Sequence, residues 1–242
     1  MASTATDITF RSTDATIGGH LACADGPGPH PALVLIPDVR GLADHYRAVA
    51  RRFAGAGFVT LALDPYSREG SPSLPDMPAV FKHLRALPDA RVLGDVAAAL
   101  AHLRTRPDVR PSAVGVTGFC MGGQYALMAA CTVAGFRACV SWYGMLRYDE
   151  KPAHKPADNL DLAPRLACPY LGLFGAEDAI IPQADVEALR AILSRERRSF
   201  AIEVYAGAGH AFFNDTRADA YRPDVAARAW ERAIAFLHAE LG

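Results

Sequence analysis

A thiol stands between glycines in Gly118-Phe119-Cys120-Met121-Gly122-Gly123, directly after the apolar run Ala113-Val114-Gly115-Val116-Thr117 and directly before the helix-prone residues 124–130. A nucleophile on a sharp turn from strand to helix is lifted clear of the surrounding chain, and the strain of that turn requires neighbours without side chains. There Cys120 would act as a thiolate, the nucleophilic form of cysteine. Cysteine is also among the most buried residue types, so the same letters fit a packing thiol, and partner residues farther along the chain decide between the two.

Two later strand-like runs each end in one partner. Pro169-Tyr170-Leu171-Gly172-Leu173-Phe174 closes on Gly175-Ala176-Glu177-Asp178, and Phe200-Ala201-Ile202-Glu203-Val204-Tyr205 closes on Gly207-Ala208-Gly209-His210. Ligand crevices of open parallel sheets lie at the carboxyl ends of strands. Cys120, Asp178 and His210 therefore converge, in the chain order nucleophile, acid, base. An imidazole takes a proton from a nucleophile and returns it to a leaving group, and a carboxylate fixes its tautomer. Read singly, Asp178 is a turn former ahead of Pro182 and His210 stiffens a glycine-rich loop. The three in this order favour catalysis.

The rest of the chain bounds what that site can serve. With 51% apolar residues and a formal net charge of −1, the 242 residues fit one α/β domain over residues 1–242. The Pro/Gly-rich stretches 26–31 and 70–78 are too short to be linkers. Near-neutral charge with scattered arginines argues against nucleic acid, which needs clustered Lys and Arg. The five cysteines, Cys23, Cys120, Cys131, Cys139 and Cys168, show no paired spacing and read as free thiols of a reducing compartment. Residues 1–13 lack the apolar core of a signal peptide, and no apolar run approaches the ~18 residues of a membrane span, so a cytoplasmic protein without membrane partners is expected. No H-E-x-x-H occurs and the other histidines lack ligand spacing, so neither metal nor cofactor is expected. The expected assembly is a monomer or a small homo-oligomer.

The elements that must position the site are set by periodicity. Residues 8–10 and 16–23 read as an opening hairpin around Ser12-Thr13-Asp14. Strands at 32–36, 58–63, 113–117, 138–142, 170–174 and 201–204 then alternate with helical patterns, several as continuous apolar runs suited to strands covered on both faces. Val92, Val96, Leu100 and Leu103 share one helical face, as do Val225, Ala229, Ala233 and Phe236. This predicts a mostly parallel, doubly wound α/β sheet with an antiparallel N-terminal hairpin. Trp230 falls in the last helical pattern as a packing residue.

The chain resembles the dienelactone hydrolase family of α/β-hydrolases. The resemblance spans nearly all of it: 32–36 followed by Pro37-Asp38-Val39-Arg40-Gly41-Leu42, then Leu63-Asp64-Pro65-Tyr66, the cysteine elbow, Trp142-Tyr143-Gly144, Gly175 to Asp178, and Gly209-His210-Ala211-Phe212-Phe213-Asn214. It implies an α/β-hydrolase fold and a Cys-Asp-His triad of Cys120, Asp178 and His210, acting on small esters or lactones without a cofactor. It implies a thiol-activating carboxylate at Asp38, where the family usually has the longer Glu. It implies an oxyanion hole from the Val39 and Met121 backbone N–H groups. Trp142, Tyr143 and Phe212 follow strand ends and are candidate pocket residues.

The family's carboxylate-binding arginines are only partly matched. One position, four residues after the histidine, is Asn214 here, and residues 71–87 offer only Arg85, with Arg40 and Arg217 as substitutes from neighbouring loops. With that clamp weakened, neutral esters are expected to rival anionic lactones. A rival from another class is a thiol sensor or ligand carrier on the same scaffold, with Cys131 the nearest other thiol. Within enzymes, a thioesterase or peptidase uses the same attack.

Overall fold

The computed structural model describes residues 4–242. Residues 1–3, the start of the segment read for a leader, lie outside it. The opening hairpin forms from β1 (Ala5–Arg11) and β2 (Thr16–Ala22), closed by a Ser12 N–H to Ala15 O hydrogen bond of 2.8 Å. Next come β3 (His30–Ile36), α1 (Asp44–Gly55), β4 (Val59–Leu63), α2 (Met77–Ala86), α3 (Asp89–Arg104), β5 (Val109–Phe119) and α4 (Met121–Thr132). The chain continues through β6 (Cys139–Trp142), the short α5 (Asn159–Leu162), β7 (Tyr170–Gly175), α6 (Gln183–Arg195), β8 (Phe200–Tyr205) and α7 (Pro223–Leu241).

One eight-stranded sheet results, in the order β1-β2-β4-β3-β5-β6-β7-β8. β1 pairs antiparallel with β2 and β2 with β4, and every pairing from β4 to β8 is parallel. This is the α/β-hydrolase fold with its N-terminal hairpin, as the alternation of runs and turns predicts.

Burial explains the apolar strands. On β5 a side chain at Gly115 would point at Leu241 of α7, so the fully buried Val114 and Val116 point the other way, and both faces of the sheet are covered. Val92, Val96, Leu100 and Leu103 of α3 and Val225, Ala229, Ala233 and Phe236 of α7 are all buried, as their spacing predicts. Trp230 packs against Phe53 of α1 with ring centroids 4.6 Å apart and the rings tilted at 46°.

The topology fixes where the site must be. From β3 the chain steps outward to β4, then returns to the other side of β3 as β5. Loops leaving the carboxyl ends of β3 and β5 therefore diverge and leave a crevice between them. Asp38 and Val39 follow β3, and Cys120 follows β5. Under this crevice Phe119 is fully buried against Trp142, Phe213 and Tyr46, at centroid distances of 5.0, 5.4 and 5.6 Å. Phe119→Ala should cost about 3–5 kcal/mol, the range for emptying a buried aromatic site. Urea unfolding followed by Trp fluorescence measures this, and a loss below about 1 kcal/mol would contradict the packing described.

Candidate active site

The strand-to-helix turn is sharp because Cys120 sits at φ 56°, ψ −116°, outside the regions open to most side chains. Two hydrogen bonds hold it there: its N–H donates to Trp142 O at 2.9 Å, and its carbonyl accepts from Gln124 N–H at 3.0 Å. The glycines are set by close approach. A Cβ on Gly118 would lie 2.1 Å from Gly122 O, and one on Gly122 would lie 2.0 Å from Ile36 O. Only without side chains can the first turn of α4 press against the end of β3.

That approach brings Val39 beside Met121. Met121 opens α4, where N–H groups have no intrahelical acceptor, and the Val39 N–H has no protein acceptor among the described residues. Tyr66 braces both: its hydroxyl donates to Val39 O at 2.9 Å and lies 3.6 Å from Met121 Sδ. Because that hydroxyl proton is used, His83 Nε2, 3.0 Å away, is the donor to Tyr66. Gly41, at φ 80°, is needed here, since a Cβ would lie 2.8 Å from the Tyr66 ring.

His210 Nδ1 meets Asp178 Oδ2 at 2.8 Å, and Asp178 Oδ1 accepts from the Ile180 and Ile181 N–H groups at 2.8 and 3.1 Å. The Asp178 side chain has no exposed surface. Fixed on both oxygens, the carboxylate holds the Nδ1–H tautomer and leaves Nε2 to exchange protons. Nε2 is buried without a hydrogen-bond partner. Burial pulls the His210 pKa down, but the charge of Cys120 and the hydrogen bond to Asp178 outweigh it and push the value up to about 10. The edge of Tyr143 packs on the imidazole at 5.2 Å.

Cys120 and His210 face one cavity of about 90 Å³, together with Val39, Met121, Arg40 and Arg217. Its remaining wall is apolar, with Met77, Val80, Phe81 and Leu84 from α2 and Met145 and Ile180 from loops. The other pocket candidates lie elsewhere. Trp142 and Phe212 are fully buried in the aromatic core, and Trp142 Nε1 donates to Thr117 Oγ1 at 3.2 Å. Tyr143 packs against His210 in a T-shaped contact and does not line the cavity. Asn214 is a buried turn former whose Oδ1 accepts from Thr216 N–H at 3.1 Å and Thr216 Oγ1 at 2.7 Å. Arg85 borders a neighbouring cavity instead. Asp38 is buried, but its Oδ1 accepts from Arg40 N–H at 2.8 Å and no hydrogen bond joins it to Cys120. It shapes the loop that carries Val39.

The residues that sequence reasoning missed are those of α2. Asp76 caps it, accepting from Ala79 N–H at 2.8 Å, with Pro78 in the first turn. That cap ahead of Val80 and Leu84, one turn apart, was the available signal. The Tyr66–His83 brace has no sequence signature, because it joins a loop to a helix. Among the described residues no group of three or more His, Cys, Asp or Glu side chains is arranged to hold a metal ion, and no helix is long and apolar enough to cross a membrane.

The model of the Dienelactone hydrolase family matches residues 17–241. The chain belongs to the dienelactone hydrolase family. A relative in Bradyrhizobium sp, "Probable 2-oxo-3-(5-oxofuran-2-ylidene)propanoate lactonase", is 36% identical over 210 residues, covering 87% of this chain and 84% of that protein. The "Putative carboxymethylenebutenolidase" of Escherichia coli K12 is 34% identical over 217 residues, covering 89% and 79%. Among solved structures, a "Putative Dienelactone Hydrolase" from Klebsiella pneumoniae superposes with a TM-score of 0.92 at 33% identity, covering 98% of this chain and 99% of that one.

Two measurements test the electrostatics of this dienelactone hydrolase family site. With the Cys120 charge removed, burial regains weight, so the His210 titration midpoint should fall well below its wild-type value in Cys120→Ala. NMR of the ring protons reads this, and an unchanged midpoint would show that Cys120 does not act on His210. The thiols should also separate. Burial pushes the pKa of Cys131 and Cys168 up to about 12, that of Cys139 well upward, and that of half-buried Cys23 upward. Brief iodoacetamide labelling should therefore modify Cys120 first, by peptide mapping. Faster labelling of any other cysteine would contradict the assignment.

Proposed function

We propose that this member of the dienelactone hydrolase family is a cysteine-dependent hydrolase of small carboxylic esters or lactones, with Cys120, His210 and Asp178 as its triad. The observation that carries the reading is a thiol on a strained elbow sharing one small cavity with an imidazole whose far nitrogen is bound to a buried carboxylate. The names of the relatives, a lactonase and a carboxymethylenebutenolidase, support the same substrate class.

In the proposed reaction the Cys120 thiolate attacks the ester carbon and a C–S bond forms while the carbonyl electron pair moves to oxygen. The N–H groups of Val39 and Met121 receive that oxyanion, helped by the positive end of α4. When the carbonyl re-forms, the C–O bond breaks and the leaving alkoxide takes a proton from His210 Nε2. Water then gives a proton to His210 as it attacks the thioester, and collapse returns the thiolate and releases the acid. Asp178 keeps the imidazole in register throughout. Asp38 acts by positioning Val39, and not by taking the thiol proton.

Arg40 and Arg217 border the cavity, so an anionic substituent beside the scissile carbonyl would meet guanidinium groups even though the clamp position at Asn214 is turned away. Arg217 is shared with Asp219 at 2.7 Å, which weakens its part. The sensor reading is disfavoured because the other thiols have pKa values raised by burial. Free cysteines throughout fit a reducing, cytoplasmic setting.

A screen of p-nitrophenyl esters, simple lactones and thioesters against wild type and Cys120→Ala tests the reading. Cys120→Ala, His210→Ala and Asp178→Asn should each lower kcat/KM by roughly 10³ or more, and a double variant should be no worse than the worst single, because the triad acts as a unit. Undiminished turnover by Cys120→Ala would sink the mechanism.

A further inference from the structure

A second cavity, of about 390 Å³, adjoins the first. Phe81, Leu84 and Met145 line both, so the two compartments share one apolar wall. The volume lies within the usual range for small-molecule pockets, about 300–1,000 Å³, whereas the cavity at Cys120 falls well below it. A substrate confined to the smaller space would consist of little beyond the reacting group.

Gln124 supplies part of the floor of the larger cavity. It lies four residues after Cys120 on α4, and so roughly 6 Å farther along the axis at about 1.5 Å per residue. Gln124 is 2% exposed, its Nε2 donates to Tyr148 Oη at 2.6 Å, and its Oε1 is buried with no partner. An orphaned buried acceptor of this kind is costly unless a ligand or water supplies a donor.

The charges around the cavity exclude an anion receptor. Lys155, itself 3% exposed, has its ammonium committed to Asp89 Oδ1 at 2.6 Å, Tyr125 Oη at 3.0 Å and Tyr148 Oη at 3.3 Å. An ammonium has three N–H donors, so none remains for a ligand. At the exposed rim, Lys82 and Arg85 are matched by Asp149 and Glu150.

We propose that the larger cavity binds a neutral, apolar arm of the substrate, an alkyl or aryl group several carbons long on one side of the scissile carbonyl, passing over Phe81, Leu84 and Met145 and ending at Gln124. The reading rests on the proposed ester hydrolysis and narrows it to extended esters. An arm that ends in a hydroxyl or amide N–H would satisfy Gln124 Oε1 and bind more tightly than its all-carbon analogue. Whether the arm belongs to the acid or the alcohol is decided by which series responds.

The test uses two ester series on the full chain, p-nitrophenyl acetate to octanoate, and methyl to octyl acetate. In one of them kcat/KM should rise at least tenfold from the shortest to the eight-carbon arm, because each added methylene is removed from water in the cavity. Ala86→Trp, and separately Pro152→Trp, place an indole at the exposed edge of this cavity and should reduce the long-to-short ratio toward one. Acetates hydrolysed with dependence on Cys120, but with both series flat, would overturn the arm site and leave the proposed function standing. If no ester is turned over, calorimetry of Cys120→Ala with octyl acetate decides the site alone. Binding abolished by Ala86→Trp supports it, and no binding overturns it.

Discussion

The contact on which the site depends is backbone on backbone: Gly122 lies so close to the end of β3 that a single added carbon would overlap Ile36 O. This contact sets the distance between the loops after β3 and β5, and with it the separation of the Val39 and Met121 N–H groups. Cys120 bears the strain. A residue held at φ 56° costs of order 1–3 kcal/mol. The fold offsets this with the bonds of Cys120 to Trp142 and Gln124 and with an α4 whose residues Met121 to Cys131 are all buried. A helix buried along that length cannot shift to relax one residue at its start.

Around that fixed elbow the charged groups are few. The Asp178 side chain is fully buried yet engaged on both oxygens, so hydrogen bonds compensate its removal from water. The neighbouring phenols add dipoles without charge. Burial first, then the Asp38 charge, push the pKa of Tyr46 and Tyr143 well above the usual range, so both stay neutral. Apart from Arg40 and Arg217 the cavity wall is apolar, so the coulombic effect of Cys120 is little screened, and together with the hydrogen bond to Asp178 it raises the His210 pKa in spite of burial.

The sheet was legible in the sequence because its buried parallel strands are continuous apolar runs, and α3 and α7 because one face of each repeats at helical spacing. Cys120, Asp178 and His210 were legible as well: each closes a strand run, and strand ends in this topology share one edge. The pocket was not. Trp142 ends β6, and Tyr143 and Phe212 lie in the loops after β6 and β8, near the same sheet edge as Cys120, Asp178 and His210, yet all three are buried in the core, since nothing in the sequence of a strand end or loop states which way its side chains face. Arg85 sits on the same helix as Phe81, but the helix separates two cavities and rotation places the arginine at the other one. Asp38 illustrates a competing local bond: a short carboxylate two residues before an N–H is captured by its own loop.

The element the sequence hid most thoroughly, α2, is also the one least anchored in the fold. Val80 is its one buried residue, and Met77 at its start is 46% exposed. A helix with so small a buried stripe draws little stability from the core, yet its Phe81 and Leu84 form the shared wall of both cavities. The rigid and the adaptable parts of the site are thus segregated. The Cys120 thiol, the Val39 and Met121 N–H groups and the His210 imidazole stand on loops at strand ends and at the start of a buried helix, where their geometry is over-determined. The wall that a substrate arm must cross is carried by a helix whose displacement disturbs few packed neighbours. Two of the buried polar atoms without a partner follow the same division. His210 Nε2 waits in the smaller cavity and Gln124 Oε1 beside the larger one, both on the rigid side. Their desolvation is already built into the folded chain, so an arriving ligand gains hydrogen bonds there without first stripping water from the protein.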